Sequence, residues 1–155
     1  MKNLGFMFDT NIFNKILDEG IKLPTHLAYY VTHIQYDEIC NTKNPNRREE
    51  LLRTFNRVQK ETINTEGFVW DISRWDMSKY GDDELYDKML KRLEELDSRS
   101  GKKTRENEAR DILIALTAIK NCLTLVSDDK NLRKVVQEFN GHAITFKQFK
   151  DIAKL

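Results

Sequence analysis

At 155 residues, 39% of them hydrophobic and 33% charged, the chain has the size and make-up of one globular domain able to bury its own core. Its 26 basic and 25 acidic residues leave a net charge of +1, so total charge recruits no polyanion and only a local basic patch could. No apolar run approaches the roughly 18 residues of a membrane helix, and three histidines with no Cys/His cluster argue against a structural zinc site.

The first element is a short apolar strand, Leu4–Phe8, that stops at Asp9-Thr10-Asn11. The acid cuts the run too early for a secretion signal. A helix follows with Ile12, Phe13, Ile16 and Leu17 on one face. Leu23-Pro24 is a break, and Leu27–Val31 reads as a second strand. Thr32-His33-Ile34-Gln35 has capping-box spacing, which starts a helix that runs to about Asn41 and carries Glu38. Asn44-Pro45-Asn46 reads as a turn. Arg47–Thr62 reads as an amphipathic helix with Leu51, Leu52, Phe55 and Val58 inward. Gly67–Trp70 is expected to be a third strand, before an irregular aromatic stretch through Trp75 and Tyr80.

Asp83–Asp97 predicts another helix, with Leu85, Met89, Leu93 and Leu96 on its face, and Ser98–Arg105 a polar loop holding Lys102, Lys103 and Arg105. The next helix is expected from about Glu108 to Asn121, with Asp111 in its first turn, where the dipole favours a carboxylate. Leu123–Val126 is a short buried strand ending in Ser127-Asp128-Asp129. Asn131–Phe139 is a helix stopped near Gly141, Ala143-Ile144-Thr145 a last strand, and Thr145 to Gln148 a second capping box before a closing helix. Cys40 and Cys122 fall inside these elements without CxxC spacing and read as buried free thiols of a reducing, cytoplasmic compartment. Strands alternating with helices predict a parallel sheet covered on both sides.

Asp9, Glu38, Asp111 and Asp129, with Asp128 as a spare, each follow a strand or sit in a helix that begins near a strand's carboxyl end, where open α/β sheets gather their ligands. Any one of them also serves as a helix cap or dipole partner. Two carboxylates ~4 Å apart repel by roughly 4 kcal/mol at an effective dielectric of about 20, so four together call for a cation or for protonation. Oxygen donors without Cys or His suit Mg²⁺ or Mn²⁺, and the chemistry that goes with them is phosphodiester hydrolysis. A receiver-type phosphoacceptor also clusters acids at strand ends. It wants its paired acids after the first strand, whereas here the pair follows a late one.

The segments FMFDTNIF around Asp9, IQYDEI with Glu38, RDILIALTAIKN with Asp111 and LTLVSDDKNL with Asp129 resemble the PIN domain. This is the nuclease fold of the VapC-like toxins of type II toxin–antitoxin pairs and of several RNA-processing enzymes. The resemblance covers residues 4–42 and 106–146. It implies a single domain with a three-layer α/β/α sandwich around a mostly parallel sheet, and a divergent helical and aromatic insertion around 66–105. It also implies an Mg²⁺- or Mn²⁺-dependent endoribonuclease with Asp9, Glu38, Asp111 and Asp129 as ligands, and Asn11 and Ser127 as supporting or water-positioning groups. A homodimer and an antitoxin covering the active-site groove would accompany a toxin. An RNA-maturation nuclease would lack the antitoxin, and a binding module would lack the catalysis. Of the twin aspartates, Asp128 is expected to cap the following helix and Asp129 matches the family's acid.

On the substrate side, Lys102, Lys103 and Arg105, with Arg47 and Arg48, offer cations for a phosphate backbone, or simply solvated charge. Trp70 and Trp75 offer faces on which unpaired bases could stack, or core packing.

Overall fold

The computed structural model of the chain describes residues 5–66, 83–101 and 105–155. Its order is β1 (Gly5–Phe8), α1 (Thr10–Glu19), β2 (Ala28–Val31), α2 (His33–Cys40), α3 (Pro45–Arg57), β3 (Glu61–Thr62), α4 (Asp83–Ser100), α5 (Arg105–Lys120), β4 (Thr124–Val126), α6 (Lys130–Glu138), β5 (His142–Ile144) and α7 (Phe146–Ala153). All four strand pairings are parallel, and the strands lie in the order β3-β2-β1-β4-β5. From β1 the chain therefore builds the sheet outward through β2 and β3, then returns to the other side of β1 for β4 and β5. The reversal falls between β1 and β4, where Phe8 stands opposite Val126.

Alternate residues of β1, β2, β4 and β5 feed two different cores, as the period of two requires. Met7 and Leu125 face an aliphatic layer built by Met89 and Leu93 of α4, Ile112 to Ala118 of α5, and Leu132, Val135 and Val136 of α6. Phe6, Phe8 and Val126 face a second layer made with Ile12, Phe13 and Ile16 of α1, Leu51 and Phe55 of α3, and Phe146 and Phe149 of α7. This is a three-layer α/β/α sandwich. Gly5 keeps β1 close to its neighbours: a Cβ there would stand 2.6 Å from Leu123 Cδ2 and 3.0 Å from a Tyr30 ring carbon, so both side chains would have to shift. Gly20 ends α1 in the left-handed region, φ 62°, a conformation glycine adopts without strain.

Several sequence expectations are corrected. Asn44 is not part of a turn but the N-cap of α3, with Pro45 at the first helical position, where its missing N–H is harmless. That helix ends at Arg57 rather than Thr62, because Val58 is already extended. Lys60 Nζ then folds back to donate to the carbonyls of Phe55 (2.6 Å) and Val58 (3.3 Å). Glu61 and Thr62 instead form the third strand, an exposed two-residue edge beside Tyr30 and Val31, which no apolar pattern announces. The strand expected at Gly67–Trp70, with Trp70 and Trp75, lies outside the described residues. Of the stretch 66–105, α4 contributes Met89, Leu93 and Leu96 to the aliphatic core. Cys122 is exposed and Cys40 half-buried, so the expectation of two buried thiols fails. Cys122 sits in the turn between α5 and β4 at φ 55°. No described helix is long and apolar enough to cross a membrane.

Candidate active site

The carboxyl ends of β1, β4 and β5 are knitted together one residue beyond the ladder. Asp9 N–H donates to the Val126 carbonyl at 3.0 Å, and Ser127 N–H to the Ile144 carbonyl at 3.0 Å. Asp9 and Ser127 are thereby fixed on either side of the point where strand order reverses, the position at which open α/β sheets hold ligands.

Asp9 is also the N-cap of α1. Its Oδ1 accepts from Thr10 N–H at 2.8 Å, and its Oδ2 accepts from the Ser127 hydroxyl at 2.9 Å. It is only 7% exposed. Capping and ligation are not exclusive, since a carboxylate has about four lone-pair sites. Thr10, in turn, donates its hydroxyl to Glu38 Oε1 at 3.0 Å. Glu38 reaches that point because α2 is pinned to β1. Thr32 and Gln35 form the capping box, and the buried Gln35 amide accepts from Thr32 N–H through Oε1 and donates through Nε2 to the Phe8 carbonyl at 3.0 Å. Residues three apart share a helix face, so pinning Gln35 aims Glu38 at the residue after Phe8.

Across the reversal, Ser127 Oγ accepts from Asp129 N–H at 3.1 Å. Asp129 Oδ1 accepts from Asn131 N–H at 3.0 Å and Leu132 N–H at 3.2 Å, which makes Asp129 the N-cap of α6. The expectation that Asp128 caps this helix is therefore wrong. Asp128 turns the other way: Oδ1 accepts from Phe146 N–H at 2.9 Å, the first amide of α7, and Oδ2 pairs with Lys15 of α1. Burial would raise the Asp128 pKa, but Lys15, the Phe146 amide and Arg133 together outweigh it and hold the group below its ordinary value. Arg133 also donates to the Ser127 carbonyl at 2.9 Å.

Asp111 is buried, 8% exposed, but the bonds above do not include it. α5 starts at Arg105, so Asp111 lies in its second turn and not, as expected, in the first. Its level follows from the turn at Asn121–Cys122, where Leu123 N–H folds back to the Ala118 carbonyl. Asp111 is about 13 Å up α5 from Lys120, and Ser127 about 13 Å up β4 from Leu123, so the two stand at the same edge of the sheet.

The expected site thus comes together in part. Asp9, Glu38 and Asp129 are linked through Thr10 and Ser127, and Asp111 shares their level. Among the described residues, no three His, Cys, Asp or Glu side chains form a ready metal-holding group. Asn11 is exposed on the first turn of α1. Arg47 is committed to a two-pronged bond with Asp18 and a bond to Asn14, and Arg48 to the Thr42 carbonyl. Lys102, Lys103 and the Arg105 side chain lie outside the described residues. Thr10 and Gln35 were missed as site residues, although each was visible: one follows the strand-end acid, the other closes a capping box three residues before Glu38.

No family model matches this sequence, and no curated protein does. Among solved structures, a chain of VapBC2 from Rickettsia felis, crystallised with a DNA fragment from their promoter, aligns with a TM-score of 0.51 at 15% identity, over 92% of this chain and 98% of that one. VapBC-5 from Mycobacterium tuberculosis, of the VapBC family of toxin–antitoxin systems, gives 0.44 at 19% identity, over 91% and 96%. FitAcB from Neisseria gonorrhoeae gives 0.43 at 15%, over 90% and 96%. The likeness to the VapBC2 chain is one of fold, and the α/β/α architecture implied by the PIN resemblance is the one observed.

Proposed function

We propose that the chain is a metal-dependent endoribonuclease that hydrolyses RNA phosphodiester bonds at the carboxyl edge of its sheet, and that it is the toxin of a toxin–antitoxin pair. The observation that carries this reading is the 2.9 Å bond from Ser127 to Asp9 across the reversal in strand order. It brings two strand ends, each bearing an acid, into one polar unit at the place where this fold class holds ligands. The VapBC2 likeness supports a nuclease toxin through fold.

The donor set fits a hard divalent cation: Asp9, Glu38, Asp111 and Asp129 are all oxygen donors, with no thiol or imidazole among them to favour a softer metal. These four would hold Mg²⁺ or Mn²⁺, with Asp128 as the alternate to Asp129. When bound, the ion would neutralise charge at the scissile phosphate and acidify the attacking water. The chain's own residues set the geometry. Thr10 N–H and Ser127 Oγ fix both oxygens of Asp9, while the Thr10 hydroxyl orients Glu38. Ser127 and Asn11 are the groups available to position a water. Lys102, Lys103 and Arg105 precede or open α5 in sequence and would hold the RNA backbone. Arg47 and Arg48 contribute only if their present partners release them. As a toxin the chain would act in the cytoplasm, would pair with an antitoxin protein and would form a homodimer.

Incubating the purified chain with mixed RNA in Mn²⁺ tests the reading. Cleavage is expected for the wild type and its loss for Asp9→Asn. Cleavage that persists in chelator, or that Asp9→Asn leaves intact, would overturn it. A flanking open reading frame for a small partner is expected beside the gene, and its absence would favour an RNA-maturation role.

A further inference from the structure

The structure assigns Asp97 the role of a positioning residue that holds the Asp129 side of the candidate site in place. Its catalytic meaning rests on the nuclease reading above. Met89 and Leu93 form an i, i+4 row on α4 that points into the aliphatic core, and both are fully buried. Asp97 is the next member of that row and is 2% exposed. A carboxylate at a core position is costly unless it is bonded. Replacing such a group by an apolar residue is often neutral or stabilising. Packing therefore gives no reason for an acid here.

Its bonds do. Asp97 Oδ1 accepts from Asn131 Nδ2 at 2.8 Å, and the same amide reaches Ser100 Oγ at 3.3 Å. Ser100 is fixed in its turn by donating to the Leu96 carbonyl at 3.1 Å. Asn131 is the second residue of α6 and its backbone N–H is one of the two that Asp129 caps. Asp129 N–H reaches Ser127 Oγ, which holds Asp9. A single chain of bonds thus runs from α4 through α6 to the end of β1. The cap alone fixes Asp129 to its own helix; the Asp97 tether fixes that helix start to a second, well-packed one. Among the described residues Asp97 Oδ2 has no hydrogen-bond partner, so the bond from Asn131 is the side-chain bond that its carboxylate makes there. Asp97 touches neither substrate nor reacting atoms in this scheme and acts through Asn131 and Asp129.

The test is amide hydrogen exchange on the full chain for Asp97→Ala, Asn131→Ala, the double variant and Asp97→Asn. Exchange at the amides of positions 131 and 132 should become several-fold faster in each single alanine variant. The double variant should be no faster than either single, because one interaction is deleted each time. Asp97→Asn keeps an acceptor for Asn131 and should restore protection. Val135 and Val136 should be unaffected. Unchanged protection at 131 and 132, additive effects in the double variant, or a loss spread evenly through α6 would each overturn the assignment. In cleavage assays Asp97→Ala should lower kcat roughly 10-fold, as loss of a ligand-orienting partner does, with KM for RNA unchanged. A raised KM with normal kcat would also overturn it. A wild-type chain that cuts no RNA would instead sink the nuclease reading, while the exchange data would still decide the tether.

Discussion

Phe8 and Asp9 are neighbours in the chain, yet they belong to regions held together in different ways. Phe8 lies in a nest of rings, with Phe149 at 5.2 Å, Tyr29 at 5.4 Å and Phe13 at 5.8 Å between centroids. Any apolar side chain of similar shape would recover most of that burial. One residue later the partners are an amide and a hydroxyl, and Asp9, Thr10, Gln35 and Ser127, which these bonds and the capping box link, are all buried. Polar groups in such a place stabilise little on balance and are expensive when a partner is lost. The ring nest supplies stability that the carboxyl edge spends on fixed geometry. Damage to the first should therefore show in unfolding, and damage to the second in chemistry.

The largest expected effect is at the edge. Asparagine caps a helix as well as aspartate does, so Asp129→Asn should leave the apo melting temperature level or higher while cleavage collapses. Asp129→Ala should lose both, the cap being worth about 1 kcal/mol. If Asp129→Asn cuts normally and Asp128→Asn is dead, the fourth ligand is Asp128.

The ring nest should behave in the opposite way. Phe149 is fully buried and meets Phe6, Phe8, Tyr29 and Phe146. Truncating it to Ala should cost about 3–5 kcal/mol in urea unfolding, with unchanged kcat for the fraction still folded. A kcat loss larger than the loss of folded protein would show that the two regions are not separable.

Divalent metal should stabilise only the edge. At a free level of 100 times Kd, one site adds about 2.7 kcal/mol, read as a higher melting temperature in Mn²⁺ than in chelator. Asp9→Asn should abolish most of that gain and Phe149→Ala should keep it. An identical melting temperature in metal and chelator for the wild type would speak against a carboxylate metal site.

The smallest effect concerns Asp128, which joins the two regions through Lys15 and the Phe146 amide. The side chain is partly exposed and its pair with Lys15 is screened by solvent, so Asp128→Ala should cost only about 1 kcal/mol, mostly through the lost bond to the α7 amide. Its folded pKa is lowered, so that contribution is complete above the unfolded carboxylate value of about 3.9 and disappears as pH falls through the folded one. The gap between wild type and Asp128→Ala should be constant above about pH 5 and close in stronger acid. A gap that widens in acid would reverse the assigned sign.

Most of the elements, and the starts of the capped helices, were legible because local chemistry dictates them. Both capping boxes form where Thr32 and Thr145 stand three residues before a glutamine, and apolar runs of four or five residues could only be strands. The strand-end acids were legible for the same reason: a residue that follows a buried strand has to leave the sheet at its edge. Asp97 was missed within the run EELDS, although an acid four residues beyond Leu93 on an inward row was a signal of buried polarity.

What the sequence by itself determined, then, is the alternation of strand and helix and the acids that terminate the first and fourth strands. Only the tertiary structure decided how those acids are used. The twin aspartates are one peptide apart and equally able to cap, so the winner depends on which amides the fold presents: those of α6 to Asp129 and that of α7 to Asp128. The third strand exists only because β2 offers an open edge to Glu61 and Thr62, a pairing partner that lies some thirty residues back in the chain and is invisible to any local pattern. Arg47, a phosphate-binding candidate by composition, lies instead across from Asp18 on α1. Propensity and capping are fixed within a few residues; the choice among equivalent partners is made by the packing that brings distant segments together.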